Sequence, residues 1–207
     1  MSSGPTSTPA GSATPTLRAT STPTLRPTST STLRPTATPD LGRAGLRLDD
    51  LPAGFESFQP ADIGLNSSLL RDAGLDPWST FGFRHPSRFQ FVVGFASWLP
   101  TPAGREAFDS MVRTPGPLAS ALLAGAGTSE PGGFQPLAGF EGLADSAGAV
   151  TGDFVYAGFP FRADLVLFRQ GPVGAVLLVG RSVWDVPLMS TGDLAGLFHS
   201  RVESLIE

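Results

Sequence analysis

From Arg88 to Trp98 large apolar residues fall on every second position. Phe89, Phe91, Val93 and Phe95 share one side of an extended chain, and the other side starts polar and ends small. That period of two predicts a β-strand. Two more strands are expected over residues 149–157 and 160–169, joined near Gly158, and another over 172–183. Gln170-Gly171 reads as the two-residue turn between the last two. Such a turn opposes Phe168 to Val173, Val166 to Ala175, Asp164 to Leu177 and Arg162 to Val179. Both faces of the hairpin are then largely apolar, which places it near the centre of a sheet covered on both sides.

Helical signals lie between and after these strands. Thr101 caps a helix that starts at Pro102, with Ala103, Ala107, Phe108, Met111 and Val112 on its apolar side. Pro115 and Pro117 end it, and a second short helix is expected over 118–124. The last helix runs from about 192 to 206. Ser190 and Asp193 form its capping box, and Leu194, Leu197, Phe198, Val202, Leu205 and Ile206 form its stripe. Earlier in the chain, Phe55 and Phe58 mark a short edge strand, and Asn66 caps a short helix over Ser67–Ala73 that stops at Gly74. Pro77 to Pro86 reads as loop, Gly125 to Gly133 as a Gly-rich loop, and 134–141 as a weak strand. The expected class is α+β: a central antiparallel sheet with helices on both faces, an α/β/α sandwich.

None of this periodicity exists before residue 40. Ser, Thr and Pro fill most positions there, and Thr-Leu-Arg recurs every eight residues at Thr16, Thr24 and Thr32. After Met1 the only large apolar residues of this stretch are Leu17, Leu25 and Leu33, too few to offset the entropy of ordering it. Residues 1–45 are therefore expected to be a disordered, semi-stiff linker, with the composition of an O-glycosylated stalk. Residues 46–207 are expected to form one globular domain, long enough to bury a sizeable core.

The chain has no cysteine, so disulfides, thiolate nucleophiles and Cys-ligated metals are excluded. Every one of its 14 basic positions is arginine. Without lysine there is no Schiff base and no P-loop lysine. Beyond residue 40 eleven arginines face seventeen acids, a net charge of −6. An acidic domain without a basic stripe argues against a nucleic-acid partner. No apolar run approaches the ~18 residues of a membrane span, and the N-terminus lacks the apolar core of a signal peptide.

Catalytic candidates are few. Gly125-Ala126-Gly127-Thr128-Ser129-Glu130 starts like a dinucleotide loop but lacks the third glycine and follows a helix. There is no Gly-x-Ser-x-Gly elbow and no His-Glu-x-x-His. His85 and His199 are the only imidazoles, which leaves a hydrolase using one of them as the least favoured reading. Arg162 and Asp164 stand two apart on one strand, on one face of an apolar hairpin. The pair is expected to orient a ligand or serve as a conformational lock or, the plainer reading, to form an internal salt bridge near the sheet edge, its guanidinium satisfied by a helix end or by Asp153 or Asp185. Trp78 and Trp98 complete the candidate ligand-binding set. Neither a cofactor nor a metal site is expected.

The element order is a short strand and helix, a long Phe-rich strand, a helical pair, and a strand meander closed by an amphipathic helix. It resembles the α/β/α sandwich shared by the PsbP extrinsic proteins of photosystem II, the Ran-binding Mog1 proteins and the mycobacterial LpqN lipoproteins. The opening Asp49-Asp50-Leu51-Pro52-Ala53-Gly54-Phe55 also resembles the start of bacterial exported domains that follow a Thr/Pro-rich spacer. The resemblance spans residues 46–207 and carries no functional residue over. It implies a binding or assembly role. The expectation is therefore a non-catalytic module on a flexible stalk, favoured outside the cytoplasm or at the cell surface, with a cytoplasmic place as the alternative. Its partner is a protein, or a small apolar ligand or lipid carried in a pocket built by Trp78, Phe89, Phe91 and Trp98.

Overall fold

The alternating segment forms β3 (Gln90–Trp98), and it pairs on both sides. In a computed structural model that describes Gly4 and residues 40–65, 70–71, 74–128 and 133–206, it belongs to a seven-stranded sheet in which every pairing is antiparallel. The other strands are β1 (Glu56–Ser57), β2 (Pro77–His85), β4 (Gln135–Pro136), β5 (Ser146–Tyr156), β6 (Phe159–Gln170) and β7 (Val173–Ser182). Their spatial order is β1-β2-β3-β7-β6-β5-β4, so the β6–β7 hairpin sits in the middle, as its two apolar faces require. The helices are α1 (Pro102–Arg113), α2 (Gly116–Gly125) and α3 (Thr191–Ile206). The fold is α+β with helices on both faces of the sheet.

Each face has its own core. On one side Val166, Phe168, Ala175, Leu177, Val92 and Phe81 pack under Leu194, Ala195, Phe198 and Val202 of α3. On the other, Leu165, Leu167, Val176, Leu178, Val93 and Phe95 pack under Phe108 and Val112 of α1 and Leu118, Leu122 and Leu123 of α2. The caps are the expected ones. Thr101 accepts from the Gly104 amide through Oγ1 at 3.1 Å, and Ser190 accepts from the Asp193 amide at 3.0 Å while its hydroxyl donates to the Asp193 carboxylate at 2.6 Å.

Three sequence expectations change. The β6–β7 turn is Gly171-Pro172, with Gly171 at φ +54°, the glycine-first arrangement of a type II′ turn. Phe168 therefore faces Ala175, Val166 faces Leu177, Asp164 faces Val179 and Arg162 faces Arg181. The slip is two residues, so every side chain keeps its expected face.

Pro77 to His85 is a strand rather than a loop. Pro77 opens it, where a missing amide is tolerated, and Phe81 and Phe83 point into the α3-side core. The folded unit also starts before residue 46. Leu41 and Ala44, in and after the 3₁₀ turn Leu41–Arg43, are already buried against β2 and α3. The Thr-Leu-Arg tail lies outside the described residues. So does the helix expected over Ser67–Ala73, apart from Leu70 and Arg71, which are helical.

Candidate functional site

The helices are too short to cover the sheet from end to end. A ten-residue helix such as α2 spans about 15 Å, whereas the twelve residues of β6 span about 40 Å. On the α1/α2 face the part left over is the end where β2 meets β3 and β5 meets β6. A cavity of about 410 Å³ lies there.

Its floor is the sheet. Register lines up Gly152, Ala163, Gly180 and Phe91 across β5, β6, β7 and β3 on this face. The small residues leave room for rings from elsewhere. A side chain at Gly180 would overlap the ring of Phe91, which lies across it. Leu178, Phe154, Phe161 and Tyr156 complete the floor. One wall is the end of α2, through Leu123, Ala126 and Thr128. The other is Phe58, Ile63 and Leu65, around the 3₁₀ turn Pro60–Ile63. The two walls meet tightly: a β-carbon on Gly64, held at φ +79°, would overlap the carbonyl oxygen of Gly125.

The mouth is formed by the β2–β3 turn, with Arg84, His85, Pro86 and Phe89. Most polar groups in the lining are already engaged. The Arg84 Nε donates to Glu56 Oε1 at 2.7 Å. Gln90 turns its amide to the Val186 carbonyl and the Leu188 amide, at 2.9 and 3.2 Å. Thr128 Oγ1 donates to the Leu123 carbonyl at 2.9 Å. What the cavity offers a guest is aromatic and aliphatic surface, with the Tyr156 hydroxyl and the outer guanidinium nitrogens of Arg84 as its polar fringe.

Phe89 stands in an unusual backbone state. Its φ is +47°, in the left-handed region that bulky residues avoid, and its ring stacks on Phe159 with centroids 6.4 Å apart. Holding a non-glycine residue there costs about 1–2 kcal/mol. Phe89→Gly is therefore expected to raise stability by about 1 kcal/mol, read as a melting temperature higher by about 2–4 °C. A lower melting temperature would show that the stacked ring stabilises the turn by more than the backbone strain costs.

Of the sequence candidates, Phe89 and Phe91 line the cavity, and Arg162, Asp164 and Trp98 do not. Arg162 and Asp164 sit on the opposite face, in line with Val166 and Phe168. They do not hydrogen-bond each other. Arg162 grips Asp153, directly across on β5, with two hydrogen bonds of 2.7 and 3.0 Å. That contact, from the Arg162 guanidinium, is the main reason the Asp153 carboxyl is held below the ordinary aspartate range, against the smaller opposing effect of burial. Asp164 accepts from the Thr191 hydroxyl at 2.6 Å and so ties β6 to the first turn of α3. Both residues act as fasteners. Trp98 packs at the edge of the α3-side core, and the side chain of Trp78 lies outside the described ones.

His199 Nε2 lies 3.2 Å from Gln170 Oε1, and its ring sits edge-on to Phe168. The Ser87 hydroxyl lies 3.3 Å from His85 Nδ1 within one turn. Among the described residues no carboxylate hydrogen-bonds either imidazole to orient it, and no group of three or more His, Asp and Glu is placed to hold a metal ion. No helix among them is long and apolar enough to cross a membrane. No protein-family model and no curated protein matches the chain, so a functional reading starts from this cavity.

Proposed function

We propose that the domain is a non-catalytic binding module whose ligand is a small molecule with an apolar body, held between the sheet and the end of α2. The observation that supports it is the cavity itself. At about 410 Å³ it falls in the size range of small-molecule sites, which are mainly apolar with few polar groups. A ligand with one polar end would leave that end at the mouth, near Arg84 and Tyr156. This reading joins the two leading sequence expectations, a binding module and an apolar carrier.

A fluorescent fatty acid, cis-parinaric acid, is a direct probe. It is expected to bind the full-length protein with one equivalent per chain. Ala126 lines the cavity at the C-terminal end of α2, and Ala126→Trp places an indole in the space the ligand needs. The variant is expected to bind the probe at least about tenfold more weakly, a loss of about 1.4 kcal/mol. Its melting temperature should be unchanged or higher, because the indole fills a void. Probe affinity equal to that of the unsubstituted protein would rule the cavity out as the site.

A further inference from the structure

Seven described residues are large, hydrophobic and exposed, and five of them lie at one end of the sheet. Phe89 (63% exposed) is on the β2–β3 turn. Tyr156 (37%) and Phe159 (57%) flank the β5–β6 turn, and Trp184 (72%) and Val186 (75%) follow β7. The backbone brings these turns together. The Ser182 amide donates to the Phe89 carbonyl at 3.3 Å and the Val183 amide to the Pro160 carbonyl at 3.2 Å. The cavity opens among the same turns.

We propose that this end is a docking face for a lipid bilayer carrying anionic headgroups, with Phe89, Phe159 and Trp184 seated at the interface. The apolar ligand passes between bilayer and cavity beside Phe89. Three features favour a bilayer. First, the aromatic residues sit on or beside three adjacent chain connections at one end of the sheet, with Phe89 and Phe159 stacked on each other, and Trp and Tyr prefer the depth of a bilayer interface. Contiguous apolar surface on a soluble domain marks an interaction site of some kind.

Second, the charge is unevenly spread. Residues 84–91, 153–162 and 181–187 hold four arginines against two aspartates, and Glu56, opposite Arg84 on β1, brings the acids to three, in a domain whose net charge is −6. Asp153 is taken up by Arg162, and Arg88, next to Phe89, has no carboxylate within salt-bridge distance among the described residues. The aromatic end thus carries a small excess of positive charge in an acidic domain, which lets cationic and apolar terms act together on anionic headgroups.

Third, a guest apolar enough for this cavity partitions out of water, and a bilayer is where it resides. This third point rests on the ligand reading above. The first two do not.

The test uses the full-length protein with vesicles of mixed phosphatidylcholine and phosphatidylglycerol. The protein is expected to co-sediment with them. Its tryptophan emission should shift to the blue and be quenched by brominated acyl chains, and most of that signal should be absent in Trp184→Phe. Trp184→Ser combined with Val186→Ser, at two exposed positions whose side chains neither line the cavity nor stack on Phe89, is expected to weaken vesicle partitioning by about tenfold or more. The same variant should keep cis-parinaric acid affinity and melting temperature.

Vesicle binding that survives the double substitution would overturn the proposal. So would a protein that takes up the probe but never associates with vesicles. A dimer in solution that the same substitution dissolves, without vesicle binding, would assign the patch to a second copy of the chain and also overturn it. If vesicle binding is lost in the double variant while Ala126→Trp leaves probe binding untouched, the docking face stands and the cavity reading fails.

Discussion

Replacing Phe168 by alanine is expected to destabilise the domain by about 3–5 kcal/mol. Phe168 is fully buried at the centre of the sheet. Its ring meets the edges of Phe198 and His199 on α3, with centroids 5.3 and 5.7 Å away. Its neighbours across both adjacent strands are alanines, Ala147 on β5 and Ala175 on β7. Neither can reach into the space the ring leaves. The backbone is held in register on both sides, so the void cannot close by relaxation, and the loss should fall toward the upper end of the range. In urea the midpoint should drop with an unchanged slope. The melting temperature should fall by about 10 °C, given some 2–4 °C per kcal/mol for a domain of this size. A loss below about 1 kcal/mol would mean that α3 settles onto the sheet, contrary to the packing described.

The second large effect concerns Arg169. Its guanidinium holds three pieces of the fold at once. It donates to both oxygens of Asp109 on α1 at 2.8 and 3.0 Å, to Asp145 before β5 at 3.1 Å, and to the Gly171 carbonyl in the β6–β7 turn at 3.0 Å. The Ser146 hydroxyl also donates to Asp109. Side chains of Arg169 and Asp109 are only 15% and 23% exposed, so removing the cation strands a carboxylate in a poorly hydrated place. Arg169→Met is expected to destabilise by about 2–3 kcal/mol, below the 3–5 kcal/mol of a fully buried pair because water still reaches this one. Arg169→Lys should recover only part of it, since an ammonium lacks the fork that bridges Asp109 and the turn.

The pH dependence of that difference identifies its origin. The hydrogen bond from Arg169 holds the Asp109 carboxyl below its ordinary value, with burial opposing and Ser146 assisting. A carboxyl with a lowered folded-state pKa adds stability above its unfolded value, about 3.9 for aspartate, and loses it as pH falls through the folded value. The gap between the parent protein and Arg169→Met should therefore be constant above about pH 5 and shrink below about pH 4. Urea midpoints measured across that range decide it. A gap independent of pH would point to lost packing of the arginine stem.

The Phe-rich alternation read from Arg88 to Trp98 identifies a strand and its faces without any partner, because the pleat repeats every two residues wherever a strand lies. The same holds for the last helix, whose stripe and Ser190 cap are local, and for the doubly buried β6–β7 hairpin. The hairpin register was offset by two residues, since Pro172 as well as Gly171 belongs to the turn. The face assignments survived only because the offset is even. Strand β2 was not legible. Pro77, Gly82 and Pro86 interrupt its pattern, and what makes it a strand is pairing with β3 and burial of Phe81 and Phe83 against α3.

The candidate site was half legible. Phe91 follows from the alternation of β3, whereas Phe89, read as part of that strand, falls in the β2–β3 turn at φ +47°, so the turn and not the pleat sets its place at the mouth. That Arg162, Asp164 and Trp98 belong elsewhere depends on which face each element covers. That a cavity exists depends on where α2 stops, on Ile63 and Leu65 closing the other wall, and on Gly180 coming to lie beneath the ring of Phe91. Sequence by itself determined period, face and cap, which are properties of a few consecutive residues. Tertiary structure decided partners, register and empty space, because those arise where segments distant along the chain compete to bury the same surface.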